Sequence, residues 1–292
     1  MISTAMVEWL EEEAGITVLP ETAHSVSGGC INEAKIVERA DGGSVFLKFN
    51  RIDRLDLFEA EKACLDLMAE SGAIRVPEPY ALGTVEASAV FAMEGLDLRS
   101  GGGPGSQEVL AEQLAALHDT LSPNGKFGAD FDNFIGATPQ PNAWTESWAD
   151  FYTEHRLDFQ FHLASKRGHT FREAKAVKEA VHAHLSGLEI QPSLLHGDLW
   201  GGNVSFLTDG TPVLYDPACY FGDREADMAF TRMFGGFGPP FYRRYRERCP
   251  EPEPIRETIY NLYHLLNHYN LFGGGYASQA ESSIREILRE VA

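Results

Sequence analysis

Residues 101–105 read Gly-Gly-Gly-Pro-Gly. No helix or strand runs through such a stretch, because glycine costs backbone entropy and proline removes a hydrogen-bond donor. The break divides a chain of 292 residues unevenly, and the two sides follow different hydrophobic periods. Before it, short apolar runs at 16–19, 34–37, 45–49, about 80–86 and 88–93 read as strands, with Asp41-Gly42-Gly43 as a hairpin turn. Helices are expected over 3–14, capped by Ser3 or Thr4, and over about 56–70, stopped by Gly72. Beyond the break, helical spacing recurs over 106–119, 145–166, 171–186, 223–234, 240–248, 254–271 and 278–291. A β-rich island at 194–215 interrupts it. The chain is therefore read as α+β in two lobes. Residues 1–95 form a small antiparallel sheet with one inserted helix, and residues 96–292 form a larger, mainly helical lobe.

Charge and composition remove several classes of partner. Lys and Arg number 24 against 43 Asp and Glu, a formal charge of −19, so the chain repels nucleic acid and anionic membrane at long range. No run approaches the roughly 20 apolar residues of a membrane span, and Met1–Gly15 lacks the basic flank of a secretory signal. Four cysteines, Cys30, Cys64, Cys219 and Cys249, are spread without a CxxC pair, which argues against a zinc site or a disulfide framework. A reducing, cytoplasmic setting is expected. The acidic balance serves solubility or draws amine-bearing substrates, and a homodimer is compatible with it.

One segment carries chemistry. In Leu195-His196-Gly197-Asp198-Leu199-Trp200-Gly201-Gly202-Asn203, an Asn follows the Asp by five positions. A second apolar run, Pro212–Tyr215, then delivers Asp216 thirteen positions after the Asn. This is the plan of a kinase catalytic loop followed by a metal-binding Asp. Phosphoryl transfer needs hard oxygen ligands for Mg²⁺, which carboxylate and amide carbonyl supply, and a carboxylate to take the acceptor hydroxyl proton. The bland alternative, a His-Gly-Asp turn capping a helix, does not explain the full spacing.

The N-terminal half offers partners. Lys48 sits mid-strand, and on the 56–70 helix Glu61 shares a stripe with Leu57, Cys64, Leu65 and Met68. An acid on an apolar stripe needs a partner. Lys48 is the candidate, with Glu59 as the fallback acid and a solvent-facing Glu61 as the alternative. Gly28, Gly29 and Cys30 lie between two strands and could form a flap over phosphates, although a plain hairpin turn fits equally. Met93, Glu94 and Leu96 end the last strand before the break, where an adenine-binding hinge would fall.

These residues resemble the fructosamine kinase (ketosamine 3-kinase) family, related to aminoglycoside and choline kinases. The resemblance rests on His196–Asn203, Asp216-Pro217-Ala218, Gly222–Asp227 and Gly28–Ala34. It rests also on Phe127-Gly128, Asp132–Gly136, Thr138-Pro139-Gln140-Pro141-Asn142, and Trp144, Trp148, Phe151 and Glu154–Leu157. It implies a bilobal protein-kinase-like fold, with residues 1–95 as the nucleotide-binding lobe and 96–292 as the catalytic and acceptor lobe. It implies MgATP-dependent phosphorylation of the 3-hydroxyl of a ketoamine, free or protein-bound, as a deglycation step. Gly197 stands where protein kinases carry Arg, and Pro217-Ala218 where they carry Phe-Gly, which disfavours a protein-serine/threonine kinase.

The roles follow. Asp198 is the base, Asn203 and Asp216 hold Mg²⁺, Lys48 meets the α/β-phosphates of ATP and Glu61 orients it. Met93, Glu94 and Leu96 meet adenine, and Gly28, Gly29 and Cys30 cover the phosphates. His196 shapes the loop and Asp227 ties it down. Trp200 forms an acceptor wall or belongs to the core. Asp223 reads as a helix cap, and Gln140, Asn142 and Arg156 as structural parts of an insertion. Cys30, in the flap, is a candidate for oxidative inhibition. Another small-molecule hydroxyl kinase, or a nucleotide-binding scaffold without activity, are the competing functions.

Overall fold

A computed structural model of the chain describes residues 1–26 and 32–291. Gly28, Gly29 and Cys30 therefore lie outside the described residues.

Helix α1 (Thr4–Ala14) opens the chain; the Ser3 hydroxyl accepts from the Met6 N–H at 3.2 Å, and Gly15 closes the helix in the left-handed region. Residues 16–19 were expected as a strand but form an isolated bridge, Val18 with Arg39. Pro20 turns the chain into a 3₁₀ turn over Pro20–Thr22, and the first strand begins only at His24. Then come β1 (His24–Val26), β2 (Glu33–Glu38), β3 (Ser44–Arg51), α2 (Leu55–Ser71), β4 (Pro79–Val85) and β5 (Ser88–Gly95). The five strands make one antiparallel sheet in the order β1-β2-β3-β5-β4.

The next elements are α3 (Ser106–His118), β6 (Asn133–Ile135), β7 (Thr138–Gln140) and α4 (Trp148–Phe151). A π-helical stretch over Tyr152–Asp158 links α4 to α5 (Phe159–Lys166), and α6 (Ala174–Ser186) follows. The chain ends with β8 (Ser193–Leu195), β9 (Val204–Phe206), β10 (Pro212–Leu214), β11 (Tyr220–Gly222), α7 (Arg224–Met233), α8 (Pro239–Arg246), α9 (Ile255–Phe272) and α10 (Tyr276–Val291). The island expected at 194–215 is divided. Strands β9 and β10 pair with each other, whereas β8 pairs antiparallel with β11. The β6–β7 hairpin was not foreseen.

Contacts group the chain into two compact units: Met1–Ser106 with Ser205–Tyr215, and Gln107–Val204 with Asp216–Ala292. Residues 96–106 and the β9–β10 turn thus belong with the first unit.

In the first unit, the alternation along β3 sends Val45 and Leu47 to one face, where they pack with Met6 and Leu10 of α1. Lys48 faces the other way. Its register partner Phe91 packs against Phe58 of α2, ring centroids 6.0 Å apart, so Lys48 shares the α2 side of the sheet. Outside the sheet, Arg99 and Phe206 exchange both backbone hydrogen bonds, and the Leu214 N–H donates to the Arg75 carbonyl at 3.0 Å.

In the second unit, α9 is apolar around most of its circumference and buries Ile259, Tyr260, Leu262, Tyr263, Leu265 and Leu266, as a central helix must. Trp148 anchors the same core. Phe151, Tyr152, Tyr220 and Tyr260 surround it at centroid distances of 5.5–6.4 Å, and its indole N–H donates to the Tyr260 hydroxyl. Cys64, Cys219 and Cys249 are buried and form no disulfide with one another. Among the described residues no helix is long and apolar enough to cross a membrane.

Candidate active site

Strand β8 is buried along its whole length and delivers His196 and Gly197 to a sharp turn. Gly197 takes φ +81, and a Cβ there would lie 2.0 Å from the Ala218 carbonyl oxygen, so only glycine fits. Asp227, in the first turn of α7, holds the turn from below. Its Oδ2 accepts from the His196 N–H at 2.7 Å and its Oδ1 from the Gly197 N–H at 2.9 Å. His118 Nε2 donates to the same carboxylate at 3.1 Å, and its Nδ1 accepts from the Tyr245 hydroxyl at 2.7 Å. The carboxylate can only accept, which sets that tautomer. His196 is fully buried, and its Nδ1 accepts from the Asp198 N–H at 3.2 Å. His118 and Tyr245 escaped the sequence reading, since each is remote from the loop it supports.

The turn presents Asp198 beside Asn203 and Asp216. Asn203 Nδ2 donates to the Asp198 carbonyl at 2.9 Å and to its carboxylate at 3.1 Å. That leaves the Asn203 amide oxygen available as a ligand. Asp216 adopts φ +56, and its charge bears on Asp198. Burial and then the Asp216 carboxylate push the Asp198 carboxyl up to about 7, against the pull of the Asn203 hydrogen bond.

A carboxyl raised by burial and a neighbouring carboxylate, next to an amide oxygen, forms with that neighbour a donor set that a divalent cation relieves. Among the described residues no group of three or more His, Cys, Asp or Glu could hold a metal alone. A cation here would complete its shell with water and phosphate, as Mg²⁺ does at kinase sites.

The raised carboxyl has a sign in stability. The folded state holds a proton that the unfolded chain, near pH 3.9 for Asp, has already released. Between about pH 4 and 7 this group makes the metal-free protein less stable as pH rises. Asp198→Asn removes a penalty on the order of 2–4 kcal/mol at pH 8. Its metal-free Tm should exceed that of wild type by roughly 5–10 °C at pH 8, and the gap should close toward pH 4.5. Equal melting curves at both pH values would contradict this assignment.

In the first unit, Lys48 Nζ meets Glu61 Oε1 at 2.6 Å, with both side chains about nine-tenths buried. The acid on the stripe of α2 therefore has the strand lysine as its partner. Met93 is buried at the end of β5, and Glu94 and Leu96 are half-buried. The Glu94 N–H donates to the Glu78 carbonyl at 2.8 Å, and its side chain pairs with Arg75.

Trp200 is 38% exposed, with its ring folded over Gly202, where a Cβ would come within 2.3 Å of the indole. It is not a core residue. Phe234 meets it edge-on at 6.0 Å, and His268 meets Phe234 at 5.0 Å. Burial holds His268 below the usual histidine range, and its Nδ1 donates to the His264 carbonyl at 2.7 Å. Its Nε2 is thus a neutral acceptor beside an aromatic wall. Neither Phe234 nor His268 was singled out from sequence, because the distance from residue 200 hides their proximity. The chain also has a surface cavity of about 690 Å³ next to Asp223, Arg224 and Cys249, which none of Asp198, Asn203 and Asp216 lines.

The model of one protein family, described as fructosamine kinase, matches residues 2–290. This chain belongs to the fructosamine kinase family. By family it is a kinase, a phosphotransferase with a hydroxyl acceptor. A "Probable ketoamine kinase" of Synechocystis sp. is 44% identical over 91% of this chain and 90% of its own. The chloroplastic protein-ribulosamine 3-kinase of Oryza sativa subsp. indica is 40% identical over 97% of this chain and 83% of its own. A solved Haemophilus somnus structure, provisionally named a fructosamine-3-kinase, superposes with TM-score 0.88 at 33% identity, covering 97% of this chain and 96% of that one. At the level of fold alone, an aminoglycoside phosphotransferase superposes with TM-score 0.64 at 19% identity, over 98% and 99%. The fold is that of the protein-kinase-like phosphotransferases.

Proposed function

We propose that this protein is an ATP-dependent ketosamine 3-kinase, and that the cation it uses is Mg²⁺. The observation that carries the reading is the grouping of Asp198, Asn203 and Asp216, in which the Asn203 amide bonds the Asp198 carboxylate and the Asp216 charge acts on it. Family membership and the relatives named as ketoamine and ribulosamine kinases support the acceptor class.

Each residue has a task. Lys48, oriented by Glu61, neutralises charge on the α- and β-phosphates. Met93, Glu94 and Leu96 border the adenine; for Gly28, Gly29 and Cys30 the phosphate role rests on the sequence alone. Asn203 and Asp216 hold Mg²⁺, which neutralises the developing phosphate charge when bound. Asp198 aligns the acceptor 3-hydroxyl and takes its proton as the oxygen–phosphorus bond forms and ADP departs. His196 and Asp227 keep that turn in place. Trp200, with Phe234, walls the sugar side, since amphipathic rings suit sugar faces. Phosphate on O3 is a leaving group next to the carbonyl carbon, so its loss lets the adduct decompose and frees the amine.

Gly202→Ala tests the acceptor wall. The added methyl displaces the exposed indole rather than the backbone. The acceptor KM should rise about tenfold while the KM for ATP and the Tm stay near wild type, about 1.4 kcal/mol of acceptor binding. An unchanged acceptor KM would remove Trp200 from the acceptor site.

The whole reading is tested by ADP release from MgATP across fructosyl- and ribulosyl-amines, aminoglycosides, choline and free sugars. Release confined to ketoamines is expected. Release confined to the other alcohols points to a different hydroxyl kinase, and none with any acceptor points to a scaffold.

A further inference from the structure

Hairpin β6–β7 has no part in the chemistry assigned above, yet two of its side chains reach the segment behind Asp216. Asn133 and Gln140 stand opposite one another in its register and are 2% and 1% exposed. Asn133 Nδ2 donates to the Cys219 carbonyl at 2.8 Å. Gln140 Nε2 donates to the Ala218 carbonyl at 3.2 Å and to Asn133 Oδ1 at 2.7 Å. Gln140 Oε1 accepts from the buried Tyr263 hydroxyl at 2.6 Å, which decides the end of the amide that faces the backbone. From the opposite side, the Ala218 N–H donates to the His196 carbonyl at 2.8 Å.

Asp216 is one of two non-glycine residues with positive φ among those described, the other being Glu86. An L-residue stays in that region only where its surroundings hold it. Here Pro217 fixes the next φ, Ala218 is bonded through both its N–H and its carbonyl, and Cys219 is bonded through its carbonyl. Relaxing Asp216 would swing those carbonyls away from buried amides that have no water to replace them.

We infer that Asn133 and Gln140 are positioning residues for the metal site: through the Ala218 and Cys219 carbonyls they hold Asp216 in its ligating conformation. The inference rests on reading Asp216 as a metal ligand. The β6–β7 insertion then supplies from outside the loop the support that a ligand's own neighbours provide elsewhere.

Two variants test it. Gln140→Leu keeps volume and removes both amide ends, whereas Tyr263→Phe keeps the ring and removes only the hydroxyl that orients Gln140. Mn²⁺ affinity in the presence of a non-hydrolysable ATP analogue is read from the paramagnetic resonance of free Mn²⁺. It is paired with the Mg²⁺ concentration for half-maximal turnover. Gln140→Leu should weaken Mn²⁺ binding about 10- to 100-fold, Tyr263→Phe about two- to tenfold, and excess metal should restore turnover in part. The acceptor KM should move far less than the metal requirement. A folded Gln140→Leu with wild-type Mn²⁺ affinity overturns the inference. If that variant does not fold, wild-type affinity in Tyr263→Phe overturns it. A wild-type protein that neither binds Mn²⁺ nor needs a divalent metal would instead sink the reading of Asp216 itself.

Discussion

Asp198→Asn is expected to lower turnover with MgATP and a ketoamine by about 10²–10⁴-fold, the usual worth of a positioned proton acceptor. The substitution keeps the size of the side chain and an oxygen for the Asn203 amide, which now donates to Asp198 at 3.1 Å. Nucleotide binding should therefore persist, with the loss confined to kcat. The same change should stabilise the metal-free protein at high pH, because it removes the carboxyl that burial and Asp216 push up. Lost turnover with gained stability is the signature of a group kept for chemistry at a cost to the fold. Turnover within threefold of wild type, in a protein that binds ATP, would remove Asp198 as the base.

Gly197→Ala should be the most damaging single methyl in the site. The residue sits at φ +81 and its added Cβ would lie 2.0 Å from the Ala218 carbonyl oxygen and 2.7 Å from that carbonyl carbon. The left-handed conformation costs an alanine about 1–2 kcal/mol, and forcing the backbones apart about 1–3 kcal/mol more. Because the displaced carbonyl follows Asp216 by two residues, activity should fall by at least about 10²-fold even at temperatures where the protein is folded. The Tm should drop by roughly 10 °C. Gly201→Ala is the control, since nothing lies within 4 Å of a Cβ there, and its Tm should stay near that of wild type. Equal behaviour of the two variants would show that the turn at Gly197 is not held against Ala218.

Much of this was legible in the sequence where a local pattern carries its own physical reason. The helices announce themselves by 3.6-residue spacing and by caps such as Ser3 and Gly72. The Lys48–Glu61 pair follows from an acid placed on an apolar stripe, which must find a cation. The spacing of Asp198, Asn203 and Asp216 is local as well, so their meeting could be read directly.

What stayed hidden depends on contacts across long stretches of chain. His118 and Asp227 are 109 residues apart, and nothing near either names the other. Asn133 and Gln140 lie in two three-residue strands too short to show a period, and their partners at 218 and 219 are remote. Arg156 is fully buried, stacked on Tyr220 at 4.1 Å and Phe151 at 4.6 Å, with its guanidinium donating to the Pro141 carbonyl and the Asn142 amide oxygen. Arginine usually signals surface, and only the packed aromatic shell makes this site intelligible. The strand expected at 16–19 failed for a local reason, because Pro20 follows it at once.

The central claim, phosphoryl transfer to O3 of a ketoamine, is tested most directly by the product itself. Wild-type protein is incubated with MgATP and a fructosyl-amine, and the product is examined by phosphorus–proton correlation NMR. The account predicts a single new phosphate ester coupled to the proton on C3, formed in step with ADP and absent with Asp198→Asn. A phosphate on any other hydroxyl, or ADP release with no phosphorylated ketoamine, would contradict it.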